Sequence, residues 1–353
     1  MKTISINGRL IGPGHPTYIV AELSANHNGS LQQAEKLIAA AKEAGADAVK
    51  LQTYTPDTIT LDCDNDYFRL RGTLYDGRTL YDLYQEAHTP WEWQPHLMKF
   101  ANGLGLDLFS SPFDGSAVDF LETMNCPAYK ISSSELIDWP LLERAAKTGK
   151  PVILSTGMAT LAEIDEAVRR IRGAGDGSMV LLHCVTTYPA RPEEMNLRTI
   201  PHMAEAFGVP VGLSDHSLGG EIPIAAVTLG ANMIEKHFIL SREDHGPDSV
   251  FSMEPAEFKA MVDGVRAVEQ ALGVVRYGLL SERERVAHNY RRSLFIAADM
   301  VAGEVLTEHN VRSVRPGHGL HPGLLPEVLG CRIRLDVKKG TPLRWEMIER
   351  VGR

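Results

Sequence analysis

Eight short runs of β-branched and apolar residues, each followed by a longer amphipathic stretch, recur between residues 17 and 273. The runs are TYIVAEL (17–23), AVKLQTY (48–54), DLFSSPF (107–113), AYKISSSE (128–135), PVILSTGM (151–158), MVLLHCVT (179–186), PVGLSDHS (210–217) and MIEKHFIL (233–240). Helical spacing of apolar residues is clearest over 31–45, 161–175 and 254–273, each ending at a glycine. EAGADAVKL, KTGKPVIL, AFGVPVGL and LGANMIEKH pass from helix stop to next strand within a few residues. Strands joined by helices in this way run parallel with right-handed crossovers, and eight such units close a (β/α)8, or TIM, barrel. An open doubly wound sheet is the competing fold, disfavoured because no glycine-rich dinucleotide loop follows the first strand.

One connection breaks the rhythm. Residues 55–93 follow the second strand, on the face where barrels carry their chemistry, and a connection that long is expected to form a lid or wall over the substrate. After residue 275 the pattern changes. The charged stretch 276–292 reads as a linker, and 293–353, punctuated by Gly and Pro, reads as a small, mostly β domain that is marginal alone. The first domain is thus expected over 1–275.

Composition bears on partners. With 36 Lys+Arg against 45 Asp+Glu, a net charge of -9 argues against coating nucleic acid or an anionic membrane. Nothing resembles a membrane span or a secretory leader, and four scattered cysteines make no disulfide framework. The expectation is a cytoplasmic enzyme without nucleic-acid or membrane partners.

In a barrel, polar residues at the C-terminal ends of the strands converge on one site. Lys50 and Lys130 lie within strands, where a lone ammonium is costly. They suit a bound anion flanked by Ser111, Ser133 and Ser155, or else pairing with Glu22 or Glu135. His216 and His237 end neighbouring strands and suit Mn, Zn, Fe or Co better than Mg, or else are hydrogen-bonded structural histidines. Glu22 and Glu135 face each other across the mouth and can move protons or neutralise the lysines. Asp248, in a turn after the last strand, orients a water or hydroxyl or is an ordinary turn residue. Cys184, inside an apolar strand, reads as a small buried residue.

The strings IVAELSANHNGS, AGADAVKLQTY, FSSPFD, AYKISSSEL, ILSTGM, LLHCVTTYP, VGLSDHS, IEKHF, GPDSVFSM, YRRSLF and VRPGHGL occur in the order found in the sialic acid synthase family, which the chain resembles over essentially its whole length. The resemblance implies a TIM barrel with a C-terminal antifreeze-like (β-clip) domain. It also implies a transferase that condenses phosphoenolpyruvate with an aminosugar, giving a nonulosonic acid and phosphate. ELSANHN, KLQTYTPDTITLDCDNDYF, GRTLYDLY and TPWEW are most similar to the branch that takes 2,4-diacetamido-2,4,6-trideoxy-L-altrose to pseudaminic acid. N-acetylmannosamine and a legionaminate precursor are the alternative sugars; a metal-dependent aldolase or hydrolase and a non-catalytic sugar-binding protein are alternatives of other classes.

By the same resemblance, Lys50, Ser111, Lys130, Ser133, Ser155 and Ser214 match phosphoenolpyruvate positions. His216 and His237 match ligands of a divalent metal, manganese first, with magnesium or cobalt as alternatives. Glu22, Glu135, Asn26, Thr186, Tyr188 and Asp248 match positions around the sugar and the reacting carbons. Arg315 matches an arginine that one subunit extends into its partner's barrel, which implies a domain-swapped homodimer. Thr186 stands where the N-acetylneuraminate branch has Asn, and Ser132 and Ser134 replace glycines beside Ser133. Together the lysines, Arg315 and the metal are expected to make the mouth cationic beneath an acidic outer surface.

Overall fold

The eight predicted strands pair in parallel and close on themselves in the computed structural model, which describes residues 3–72 and 75–349. Residues 1, 2, 73, 74 and 350–353, within the predicted long connection and at the ends of the predicted domains, lie outside the described residues. The barrel strands are β1 (Tyr18–Glu22), β2 (Ala48–Thr53), β3 (Asp107–Pro112), β4 (Tyr129–Ile131), β5 (Val152–Ser155), β6 (Met179–Cys184), β7 (Val211–Asp215) and β8 (Met233–His237). Each neighbours the next in sequence, and β8 pairs with β1. The chain folds into two compact units, Met1–Gly273 and Val274–Arg353.

Local chemistry sets the helix starts. Ser30 accepts from the Gln33 N–H at the start of Leu31–Glu43, and Thr160 and Glu163 form a reciprocal capping box at the start of Leu161–Ala174. Gly45, in the left-handed region at φ +91, turns the chain into β2; a side chain there would also press on Val262. A hairpin of Ile4–Ile6 and Arg9–Ile11 precedes the barrel, and its isoleucines join the barrel's apolar core.

Residues 55–93 are not a bare loop. They contain the helices Pro56–Ile59 and Leu80–Ala87. In the second unit, Ser293–Ile296 pairs antiparallel with Val311–Val314, and Arg332–Ile333 with Ile348–Glu349, around Leu294, Ile296, Leu306, Val311 and Ile333. The charged stretch read as a linker differs from expectation: Ser281 caps a helix over Glu282–His288. Among the described residues, no helix is long and apolar enough to cross a membrane.

Candidate active site

Strand register gathers the polar residues. Glu22 lies across from Lys50 on one side and His237 on the other; one layer deeper, Ser214 lies across from Cys184 and Glu235. Side chains alternate along a strand, so Glu235 and His237 point into the barrel while Lys236 points out, where it donates to Asp215 and the Ser217 carbonyl. The inward residues line a cavity of about 380 Å³ at the C-terminal ends of the strands.

Its floor is an ionic network. Lys50 Nζ is 3.1 Å from both Glu22 Oε2 and Glu235 Oε1, and Lys130 Nζ is 3.4 Å from the same Glu235 oxygen. Ser214 donates to that oxygen at 3.1 Å, and Lys50 donates to Ser111 at 3.4 Å. Glu235 was visible in the sequence only as one more polar strand end, yet it is the counter-ion shared by both lysines. Glu135 does not pair with Lys130. Its carboxylate accepts from Ser132, the fourth strand having given way to a 3-10 turn over Ser134–Ile137, and it is absent from the cavity lining.

The network divides the charges unevenly. Burial pushes the Glu22 carboxyl up to about 7, against the attraction of Lys50. Burial would raise Glu235 too, but Lys130 and Lys50 hold it at about 2. Lys50 stays well above the usual ammonium range because two carboxylates outweigh its burial. Lys130, paired with Glu235, is pushed below that range by burial, and the nearby Lys50 charge adds to the depression. It is under-compensated, and an anion in the cavity would offset the burial that disfavours its charged form. Beside it, the Ser155 hydroxyl is buried without a hydrogen-bond partner. The Ser133 hydroxyl accepts from the Gly157 N–H at 3.0 Å. A Cβ at position 157 would lie 2.6 Å from Thr186 Cγ2 and 2.8 Å from Ser133 Oγ, so a side chain there would displace both.

His216 and His237 stand with ring centroids 5.4 Å apart. The Val185 carbonyl, 2.8 Å from His216 Nδ1, fixes that ring as an Nδ1–H tautomer and leaves Nε2 as a ligand. His237 is kept neutral by burial, and its buried Nδ1 has no hydrogen-bond partner, with Asp248 Oδ2 3.8 Å away. Tyr188 packs on His216 at 4.3 Å and Phe251 on His237 at 4.9 Å. An imidazole kept neutral by burial and holding an orphaned nitrogen, beside a second ring whose Nε2 faces the same space, fits a divalent transition metal. Among the described residues, no group of three or more His, Cys, Asp or Glu side chains could hold an ion.

A further expectation is corrected. Asn26, expected beside the sugar, is fully buried behind the wall, donating to the Phe238 carbonyl and Ser252, both at 2.9 Å. At the mouth three carboxylates (Glu22, Glu235, Asp248) face two lysines, so the cationic character expected there depends on the metal and Arg315. Arg315 belongs to the second unit, exposed, after the strand Val311–Val314. Thr186 and Tyr188 do line the cavity, as does Cys184, whose thiol is 3.9 Å from His216 Nδ1. The long connection 55–93 does wall the cavity, as its length led us to expect: Tyr84, 5.5 Å from Tyr54, lines it with Leu83, Ala87 and Tyr75. Tyr75 Oη donates to the Pro247 carbonyl at 2.7 Å, tying that wall to the turn that carries Asp248.

A model of the NeuB family matches residues 37–277, and one of the SAF domain matches residues 291–349. The chain is 47% identical to the pseudaminic acid synthase of Helicobacter pylori, over 95% of this chain and 98% of that one. It is 35% identical to the N,N'-diacetyllegionaminic acid synthase of Legionella pneumophila, over 96% of each. The solved structure of the Bacillus subtilis spore coat polysaccharide biosynthesis protein SpsE superposes with a TM-score of 0.68 at 34% identity, covering 99% of this chain and 100% of that one.

Proposed function

The chain belongs to the NeuB family and carries a SAF domain, and from that premise we propose that it makes pseudaminic acid. It condenses phosphoenolpyruvate with 2,4-diacetamido-2,4,6-trideoxy-L-altrose and water, and releases phosphate. The observation that carries this reading is the convergence of two buried ammonium groups, one under-compensated, with the unpartnered Ser155 hydroxyl in one cavity. That set is an anion receptor. The greater identity to a pseudaminic acid synthase than to a legionaminic acid synthase supports the choice of sugar.

Lys50, Lys130, Ser111, Ser133, Ser155 and Ser214 hold the phosphate and carboxylate of phosphoenolpyruvate, with Glu235 as the counter-ion that shares the lysines. Carbon 3 of phosphoenolpyruvate attacks the open-chain aldehyde and positive charge develops at carbon 2. Water adds there, and the tetrahedral intermediate expels phosphate by C–O cleavage. Glu22 is the better placed proton acceptor, since it faces the cavity and titrates near neutrality. Glu135 is bound to Ser132 outside the lining. A divalent metal at His216 and His237, manganese first, supplies Lewis-acid polarisation of the aldehyde when bound. Asp248 orients a sugar hydroxyl, and Thr186 and Tyr188 wall the sugar. Much of the work is positioning in a preorganised field. Arg315 reaches the partner's cavity in a homodimer, and four free cysteines support a reducing, cytoplasmic setting.

Phosphate release from phosphoenolpyruvate with three sugars side by side tests the reading. Release with the altrose alone is expected. Release with N-acetylmannosamine or the legionaminate precursor instead would reassign the sugar, and release with none would refute the reaction.

A further inference from the structure

Ser24, at the exit of β1, is buried with its backbone in the left-handed region at φ +43. That conformation is strained for a residue with a Cβ, whereas glycine adopts it freely. The strain is held at a cavity-lining position whose hydroxyl is fully used. Ser24 Oγ donates to Asp248 Oδ2, and accepts from Gln52 Nε2 at 3.2 Å. The same Gln52 amide donates its second hydrogen to Glu22 Oε1 at 2.9 Å. The Gln52 amide and the Ser24 hydroxyl each donate towards a carboxyl group, so the bonds run outward from the Gln52 amide. The chain crosses from the strand end that carries Glu22 to the turn that carries Asp248.

We propose that Ser24, acting with Gln52, is a positioning residue that fixes the spacing between Glu22 and Asp248. The group that takes the proton and the group that orients the sugar are thereby held as one unit. This rests on the functional reading above for the roles of the two carboxylates. It goes beyond that reading in assigning to Ser24 a part in the sugar half of the reaction and none in the phosphoenolpyruvate half.

Ser24→Gly separates hydroxyl from backbone, because glycine relieves the strain while removing the bonds. The variant is expected to melt higher than Ser24→Ala. Its KM for the sugar should rise and its kcat fall by about tenfold each, as expected for a misplaced reacting group, with the KM for phosphoenolpyruvate unchanged. Ser24→Ala, which keeps the strain, should show the same kinetic loss with a lower melting temperature. In a crystal structure of Ser24→Gly, the Asp248 carboxylate and the Gln52 amide should leave their present places. Parental sugar kinetics in Ser24→Gly would overturn the proposal, and so would Asp248 and Gln52 staying in place, whatever the kinetics. If the parent consumes no phosphoenolpyruvate with any sugar, the functional reading fails by itself and the crystallographic arm still decides the role of Ser24.

Discussion

The two ends of the barrel both bury charge and use it differently. At the base, Asp47 accepts from Arg9 through one oxygen at 2.5 Å, and from the Ile19 N–H and Arg266 through the other at 2.9 and 3.0 Å. Asp107 likewise divides its oxygens between Asn7 at 2.9 Å and Tyr18 at 2.6 Å. Every oxygen of these two carboxylates is satisfied. At the mouth, Glu22, Glu235, Ser155 and His237 each keep a buried atom without a directed hydrogen bond. A satisfied network fixes a structure, and an incomplete one is poised for a ligand.

The contrast can be broken by single substitutions. His237→Ala takes an imidazole from the mouth; phosphate release should fall about 10³-fold, the scale of losing a principal electrostatic stabiliser, while the melting temperature barely moves. A stopped-time phosphate assay beside a thermal melt checks both. Asp47→Ala should do the reverse. Stranding the Ile19 N–H, Arg9 and Arg266 should cost roughly 2 kcal/mol of stability in urea titration, with kcat of the folded protein unchanged.

Glu22→Gln should lower kcat about 10²-fold, the scale of general base catalysis, and the sign of its pH effects is fixed. Because the folded carboxyl titrates at about 7 rather than 4.5, the folded state binds this proton more tightly than the unfolded chain. Glu22 therefore costs stability progressively as pH rises from 4.5 to 7. The parent rate should climb through about pH 7, and in the variant that climb should vanish while the loss of stability over the same window shrinks. Glu235, held near 2, has the opposite sign: it stabilises above 4.5 and loses that contribution as pH falls towards 2. Smallest of all, Gly157→Ala should push Ser133 and Thr186 aside and raise the KM for phosphoenolpyruvate about tenfold, read from initial rates at saturating sugar.

The barrel was legible because its signal is repeated eight times and each repeat is local. The site's face was legible for the same reason, since polar strand ends mark it. Individual roles were harder, because they depend on which way a side chain points. In IEKHF nothing distinguishes Glu235 from Lys236; only the pairing of β8 with its neighbours sends one to the lysines and the other to Asp215. Asn26 and Glu135 misled for a related reason, as both sit just past a strand end, where a turn redirects the side chain. Tyr75 and Ser24 left no trace, their partners lying about 170 and 220 residues away along the chain.

The counter-ion Glu235 has a consequence outside catalysis. A barrel whose buried ammonium groups depended on a metabolite for neutralisation would be stabilised by mass action whenever that metabolite was plentiful and weakened whenever it ran short. Here the chain carries its own neutralising group. Its folding therefore does not require the compound it consumes, whose binding adds stability chiefly where Lys130 is left under-compensated.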